Sequence, residues 1–387
     1  MTTVVHDHLD LPSEGNMNKR HVSVRAVVLL LAAALAPLVT TSVARAEDPC
    51  VDRPATELDR RGDWRCVGLA TFTGPGVEPV APVLSDEEAA RLDVTWPAEW
   101  ELGVAISPDG RLYRQTALAP RAPEETRPVN PTPTDVVPEP RDGEVGTRTI
   151  FGPDDRLRRS ATTSYPWRVM GSISAPDATA SGCSGSLIGP RHLLTAGHCI
   201  HQGGGGADKG WFPDRKVGPG QNGIGNYPNG LKNSHWYFSV SGWYDHGNPV
   251  FDYAMIVLED LRSTASLGWL GWRSNGHWGE HWTAGYPNWS FQCADSPSAD
   301  GQCDNYQYGD SDSTQLVLAK LLKTHVDVQT GQSGSPIYEI DDDGRRVTAV
   351  VAYHGGNWAT RVTAARSNNF CDWIHAHPSA FADHACE

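Results

Sequence analysis

Eight cysteines constrain this chain more than any other feature of it: Cys50, Cys66, Cys183, Cys199, Cys293, Cys303, Cys371 and Cys386. The even number, with partners near in sequence, reads as four disulfides formed in an oxidising compartment. The N-terminus agrees. Lys19, Arg20 and Arg25 precede an apolar run over 26–39, and Ala44-Arg45-Ala46 follows with small residues where a signal peptidase reads. This is the layout of a cleaved export signal over 1–46. The run is about 14 residues, short of the roughly 20 that span a bilayer, so no membrane anchor is expected. The polar first 16 residues are atypical of a signal, and a start at Met17 would restore the usual order.

At 387 residues the chain is longer than one average domain. Hydrophobic residues at 39% are enough for a buried core. The formal net charge of −14 argues against a nucleic-acid binder, which carries a basic face. Residues 119–146 are rich in Pro, Glu, Arg and Thr and read as a linker that buries little. From Thr149 the texture changes to Trp, Gly and β-branched runs broken by turn residues. Val347 to Tyr353 alternates as a strand. Tyr338-Glu339-Ile340 and Arg346-Val347-Thr348 flank a turn at Asp342-Asp343-Gly344 and read as a hairpin. Helical periodicity is scarce, with Asn369–Ala376 the best candidate. Residues 149–387 are therefore expected to be all-β, as two packed antiparallel barrels with a short C-terminal helix.

Three segments carry chemistry. In Gly331-Gln332-Ser333-Gly334-Ser335-Pro336 two glycines bracket a serine, which suits a tight turn presenting a hydroxyl. The amides of Gly331 and Ser333 are placed to meet a developing oxyanion. Ser335 is a rival nucleophile without a glycine two residues before it. Leu193 to Cys199 ends a strand and delivers His198 at a turn, where Cys199 can reach Cys183. A serine hydroxyl is a weak nucleophile until a base takes its proton, and histidine has the suitable pKa. In Phe251 to Leu258 an acid, Asp252, opens an apolar strand, where a buried carboxylate would orient the imidazole. Asp245 competes, but no strand follows it directly.

Together these segments resemble the chymotrypsin-like (trypsin-like) serine peptidases, and more closely the bacterial glutamyl endopeptidases. Gly152 to Arg156, Thr162 to Trp167, Val217 to Gly223 and Gly285-Tyr286-Pro287 share in the resemblance, which covers about 149–375. It implies a secreted, monomeric serine endopeptidase acting on proteins or peptides, with His198, Asp252 and Ser333 as triad and no cofactor. It also implies a mature enzyme beginning near Thr149, after Arg148, with 47–148 as its own propeptide. The residue before the nucleophile is Gln332, not the acid of the animal digestive enzymes, so it has no charge to pair with a newly cut N-terminal ammonium. By resemblance, His354 in Tyr353-His354-Gly355-Gly356 would receive a substrate glutamate, with Gly356 beside it. Val328 stands where that family usually has a hydroxyl. The neighbouring Asp327 would favour basic residues if it faced the pocket.

Other clusters carry less. Cys371, His375, His377, His384 and Cys386 have the makings of a zinc site, but a Cys371–Cys386 disulfide is the simpler reading, and no metal is expected. The acids near Cys293–Cys303, with Asp310 and Asp312, fit no calcium-loop spacing. Gly203 to Gly206 lacks the Lys of a phosphate loop. The 14 tryptophans are spread through the chain as core residues are. A non-catalytic binding protein on the same scaffold is the rival function, although such a protein usually lacks one triad member.

Overall fold

The computed structural model describes residues 48–51, 53–73, 79–130, 154, 156–177, 181–205, 209–259, 262–274, 278–288, 291–293, 296–353, 357–378 and 386. Residues 1–46, the expected cut between Arg148 and Thr149, and the expected contact residues His354 and Gly356 lie outside them.

Antiparallel pairing closes two rings. The first contains β5 (Met170–Ser174), β6 (Ser181–Gly189), β7 (His192–Thr195), β8 (Lys216–Pro219), β9 (Lys232–Val240) and β10 (Ala254–Leu258), in the order β9-β10-β7-β6-β5-β8 and back to β9. The second contains β12 (Glu280–Gly285), β13 (Tyr308–Val317), β14 (Leu321–Thr324), β15 (Pro336–Asp341), β16 (Gly344–Val351) and β17 (Trp358–Arg361), in the order β16-β15-β12-β13-β14-β17 and back to β16. Two short strands join the second ring: β4 (Leu157–Arg158) on β13 and β11 (Gly271–Trp272) on β16. Closure leaves few free edges, which is how an all-β chain avoids pairing with its neighbours. The expected hairpin is present as β15–β16, with Asp341 opposite Gly344. Strand β10 is a run of Ala, Met, Ile, Val and Leu, all buried, with β7 on one side and β9 on the other.

The N-terminal segment is built into the first barrel, which composition did not suggest. Strands β1 (Trp64–Leu69), β2 (Gly103–Ile106) and β3 (Arg111–Gln115) extend that sheet in the order β1-β3-β2-β9. On its β9 side, strand β8 reaches the start of that strand at Lys232 and Asn233, and β2 takes the edge that remains, from Tyr237 to Val240. Trp64 meets Phe238 edge-on and Tyr113 packs on Trp236, so the added strands share the barrel's core. Ion pairs Arg61–Asp372, Glu101–Lys320 and Arg114–Asp245 tie the same segment to both barrels and the C-terminal helix. Helix α1 (Asp86–Leu92) begins on a capping box, in which Ser85 and Glu88 each accept the other's backbone N–H. Part of the expected linker is also paired: Thr126 N donates to Trp272 O at 2.8 Å, and Val129 and Trp269 exchange two backbone bonds. A segment too polar to make a core can still satisfy its backbone along an edge.

The C-terminal helix runs Ala364–Ala376, starting before the expected Asn369 because the Thr363 side chain caps it by accepting Arg366 N. Its apolar side packs Phe370 and Trp373 against Tyr253. Disulfides join Cys50–Cys66, Cys183–Cys199, Cys293–Cys303 and Cys371–Cys386. No described helix is long and apolar enough to cross a membrane.

Candidate active site

The candidate base and its candidate acid come from beside adjacent strands. Thr195 at the end of β7 is opposite Ala254 at the start of β10. The turn after β7 and the residues before β10 therefore emerge at the same end of the barrel. That turn, Gly197–Cys199, carries His198, and Asp252 stands two residues ahead of β10. Asp252 Oδ2 is 2.8 Å from His198 Nδ1, and Asp252 Oδ1 accepts the His198 backbone N–H at 2.8 Å. Both side chains are almost fully buried. A buried carboxylate holding the ring and its backbone fixes the imidazole's orientation and places its proton on Nδ1. Nε2 is then the unprotonated nitrogen, and it has no hydrogen-bond partner among the described residues. The Tyr353 hydroxyl donates to Pro249 O beside this pair, and burial, with the charge of Asp252, pushes its phenol well above the ordinary range. The rival acid Asp245 is engaged elsewhere, by Arg114 and Ser241.

Ser333 arrives from the other barrel, on the loop between β14 and β15. Gln332 N donates to Gln329 O and Ser335 N to Gln332 O, each at 2.9 Å, which makes two tight turns around it. Gly331 and Gly334 have φ of 95° and 87°, where L side chains are strained. A Cβ at Gly331 would strike the backbone of Tyr286 and Asn288, and one at Gly334 would strike Ser184 O and Thr195 Oγ1. The amides of Gly331 and Ser333 donate to no acceptor among the described residues. Ser333 is 6% exposed, whereas the rival Ser335 is completely buried.

Ser184, next to Cys183 on β6, fastens this loop to the first barrel, and sequence reasoning missed it. Its N–H donates to Ser333 O at 2.7 Å, its hydroxyl donates to Gly331 O at 2.8 Å, and the hydroxyl accepts Tyr286 N at 2.8 Å. The Cys183–Cys199 disulfide locks β6 to the turn of His198, and Cys199 Sγ lies 3.6 Å from Ser333 O. The one signal was the serine directly after a cysteine expected to pair with Cys199.

The expected pocket residues fare differently. Val328 packs with Val326, Ile337 and Val351 of the second barrel. Asp327 is also buried, and the Asp310 carboxylate accepts its amide N–H. The zinc alternative loses its sulfurs, since Cys371 and Cys386 are bonded to each other. Among the described residues, His198, Cys183 and Cys199 cluster closely enough to suggest a metal, but both sulfurs belong to a disulfide.

The trypsin family model matches residues 156–374. Over 237 residues the chain is 32% identical to a Bacillus subtilis protein named extracellular metalloprotease, covering 59% of this chain and 70% of that protein. Over 238 residues it is 31% identical to the glutamyl endopeptidase of Bacillus licheniformis, covering 58% and 69%. A solved structure of Glu endopeptidase in complex with MPD superposes with a TM-score of 0.47 at 24% identity, covering 61% of this chain and 99% of that one.

Proposed function

Because this chain belongs to the trypsin family of serine endopeptidases, we propose that it is secreted and cleaves after glutamate, with Ser333 as nucleophile, His198 as base and Asp252 as the acid that orients it. The observation that carries this reading is the double hold of Asp252 on His198, at 2.8 Å to Nδ1 and 2.8 Å to the backbone N–H, with Nε2 left over for a hydroxyl.

The chemistry follows from that arrangement. Nε2 takes the proton of Ser333 as Oγ attacks the scissile carbonyl, and Asp252 stabilises the imidazolium that forms. The amides of Gly331 and Ser333 receive the oxyanion. The tetrahedral species collapses as Nε2 returns the proton to the leaving amine, and an acyl-enzyme remains on Ser333. Water, deprotonated by Nε2, then releases the acid and restores the serine. The proposed mechanism requires a Ser333–Nε2 hydrogen bond in the substrate complex, where catalytic hydrogen bonds commonly tighten.

Glutamate preference rests on the resemblance that gives His354 a carboxylate to bind, and on the name of the Bacillus licheniformis relative. Secretion rests on the leader over 1–46, and release of the mature enzyme on the position of Arg148. The test is mass spectrometry of an unfolded protein digested by the processed enzyme beside its Ser333→Ala variant. Cuts after Glu that vanish in the variant are the expected result. Cuts after other residues, also lost, would discard the glutamate preference and keep the triad. No cuts by the wild type would overturn the reading.

A further inference from the structure

We propose that Arg156 is a positioning residue that holds the nucleophile turn in its working shape before any cleavage at Arg148. The inference rests on the role proposed for Ser333. Gln332, the residue before that serine, is completely buried and uncharged. Its Oε1 accepts Arg156 Nη1 at 2.8 Å and Gln329 N at 3.0 Å. Arg156 Nη2 donates to Gln329 Oε1, also at 2.8 Å. One guanidinium therefore grips the first and last side chains of the turn 329–332, which contains Gly331 and leads into Ser333.

A buried guanidinium needs a counter-charge and partners for its donors. Arg156 is 1% exposed, and Asp154 supplies the charge, accepting Nε at 2.8 Å and Nη2 at 2.7 Å. Asp154 occupies one edge of the fork and the two glutamines the other. The fork is planar and rigid, so the spacing of its donors fixes the spacing of the residues they hold. A lysine offers a single point charge and cannot reproduce that spacing.

The anchor does not depend on a chain end. Arg156 precedes β4, whose Leu157 and Arg158 pair with Gly309 and Tyr308 of β13. None of these contacts is made by a chain terminus. Gln332 has no charge for a new N-terminal ammonium, and its oxygen already accepts from an arginine. Latency before processing, where it exists, must then come from something other than a disordered nucleophile turn.

The test uses the processed enzyme with Arg156→Met and Arg156→Lys. Three quantities are read: kcat and KM on a peptide cut in the digest, affinity for a peptide aldehyde, and hydrogen exchange over 326–336. Arg156→Met should lower kcat by about 10²-fold, the scale of losing one oxyanion donor, and weaken the aldehyde in step. KM should move by less than about threefold, because substrate binding survives while transition-state binding does not. Exchange over 326–336 should quicken at least about tenfold, a size set by the loss of a buried charge-assisted hold. Arg156→Lys should fall between. In the uncut Arg148→Gln chain, 326–336 should exchange as slowly as in the cut enzyme. A folded Arg156→Met with unchanged kcat and unchanged exchange would overturn the proposal, as would slow exchange that appears only after cleavage. If Arg156→Met does not fold, Arg156→Lys decides by the same measures. If the wild type cuts nothing, the triad reading fails, and the exchange measurements still decide the role of Arg156.

Discussion

The two barrels contribute to the site in different ways. The first supplies His198 and Asp252 beside strands that are direct neighbours in a closed ladder, so backbone pairing brings imidazole and carboxylate together. The second supplies Ser333 from a loop whose shape is imposed by side chains distant in sequence: Ser184 across the barrel boundary and Arg156 from before β4. A pair set by a ladder is robust and local in its sequence signal. A loop set by borrowed side chains is adjustable, and its supports are scattered. The contrast also covers the N-terminal segment, which adds three strands to the sheet of the first barrel through β2, whereas its backbone bonds at 124–130 run beside β11 of the second.

The comparison can be sharpened in order of effect. Ser333→Ala should lower kcat by about 10⁶, because the nucleophile and base act as a unit. Asp252→Asn should lower kcat by about 10⁴, since the amide forces the wrong imidazole tautomer. A loss below about tenfold for Asp252→Asn would mean that the ladder-set pair is structural, and steady-state kinetics on both variants decides it.

Acid should act through the first barrel and its extension. Burial pushes His201 down to about 4 and His377 down to about 2, so both are neutral in the fold. Below a pH of about 6.5 the unfolded chain binds protons that the folded one refuses, and stability falls as pH drops. For His201 this amounts to about 3 kcal/mol between pH about 6.5 and about 4, and His377 adds to it. Denaturant unfolding across that range checks the sign. Stability that rises on acidification from 6.5 to 4 would contradict it.

The smallest effect is expected for Ser184→Ala. It leaves Gly331 O and Tyr286 N short of a partner, at a cost of about 1–3 kcal/mol in stability. It should also lower kcat by about tenfold with KM nearly unchanged, the pattern of an interaction made in the transition state. A stability loss with kcat intact would reduce Ser184 to a packing residue.

What could be read from sequence follows the same division. His198, Asp252 and Ser333 stand in short local motifs, and the hairpin at Asp341–Gly344 has its turn residues in plain view. Ser85 and Glu88 had the spacing of a capping box, but the helix they start is too short for periodicity to reveal it. The pairing of 124–130 with Trp269 and Trp272 left no mark, because backbone bonds along an edge ask little of side chains. Val328 stands out in the sequence by its place before Ser333, but its packing with Val326, Ile337 and Val351 is set by residues far apart in the chain. Arg156 drew notice as part of a patch shared with the glutamyl endopeptidases. Its grip on Gln329 and Gln332 appears only once the chain is folded.

The most direct test of the central claim is covalent labelling of the processed enzyme with a fluorophosphonate, followed by peptide mapping. The account predicts a single adduct on Ser333, with labelling strongly slowed in Asp252→Asn. An adduct on Ser335 or elsewhere, or none on an enzyme that still cuts protein, would contradict it.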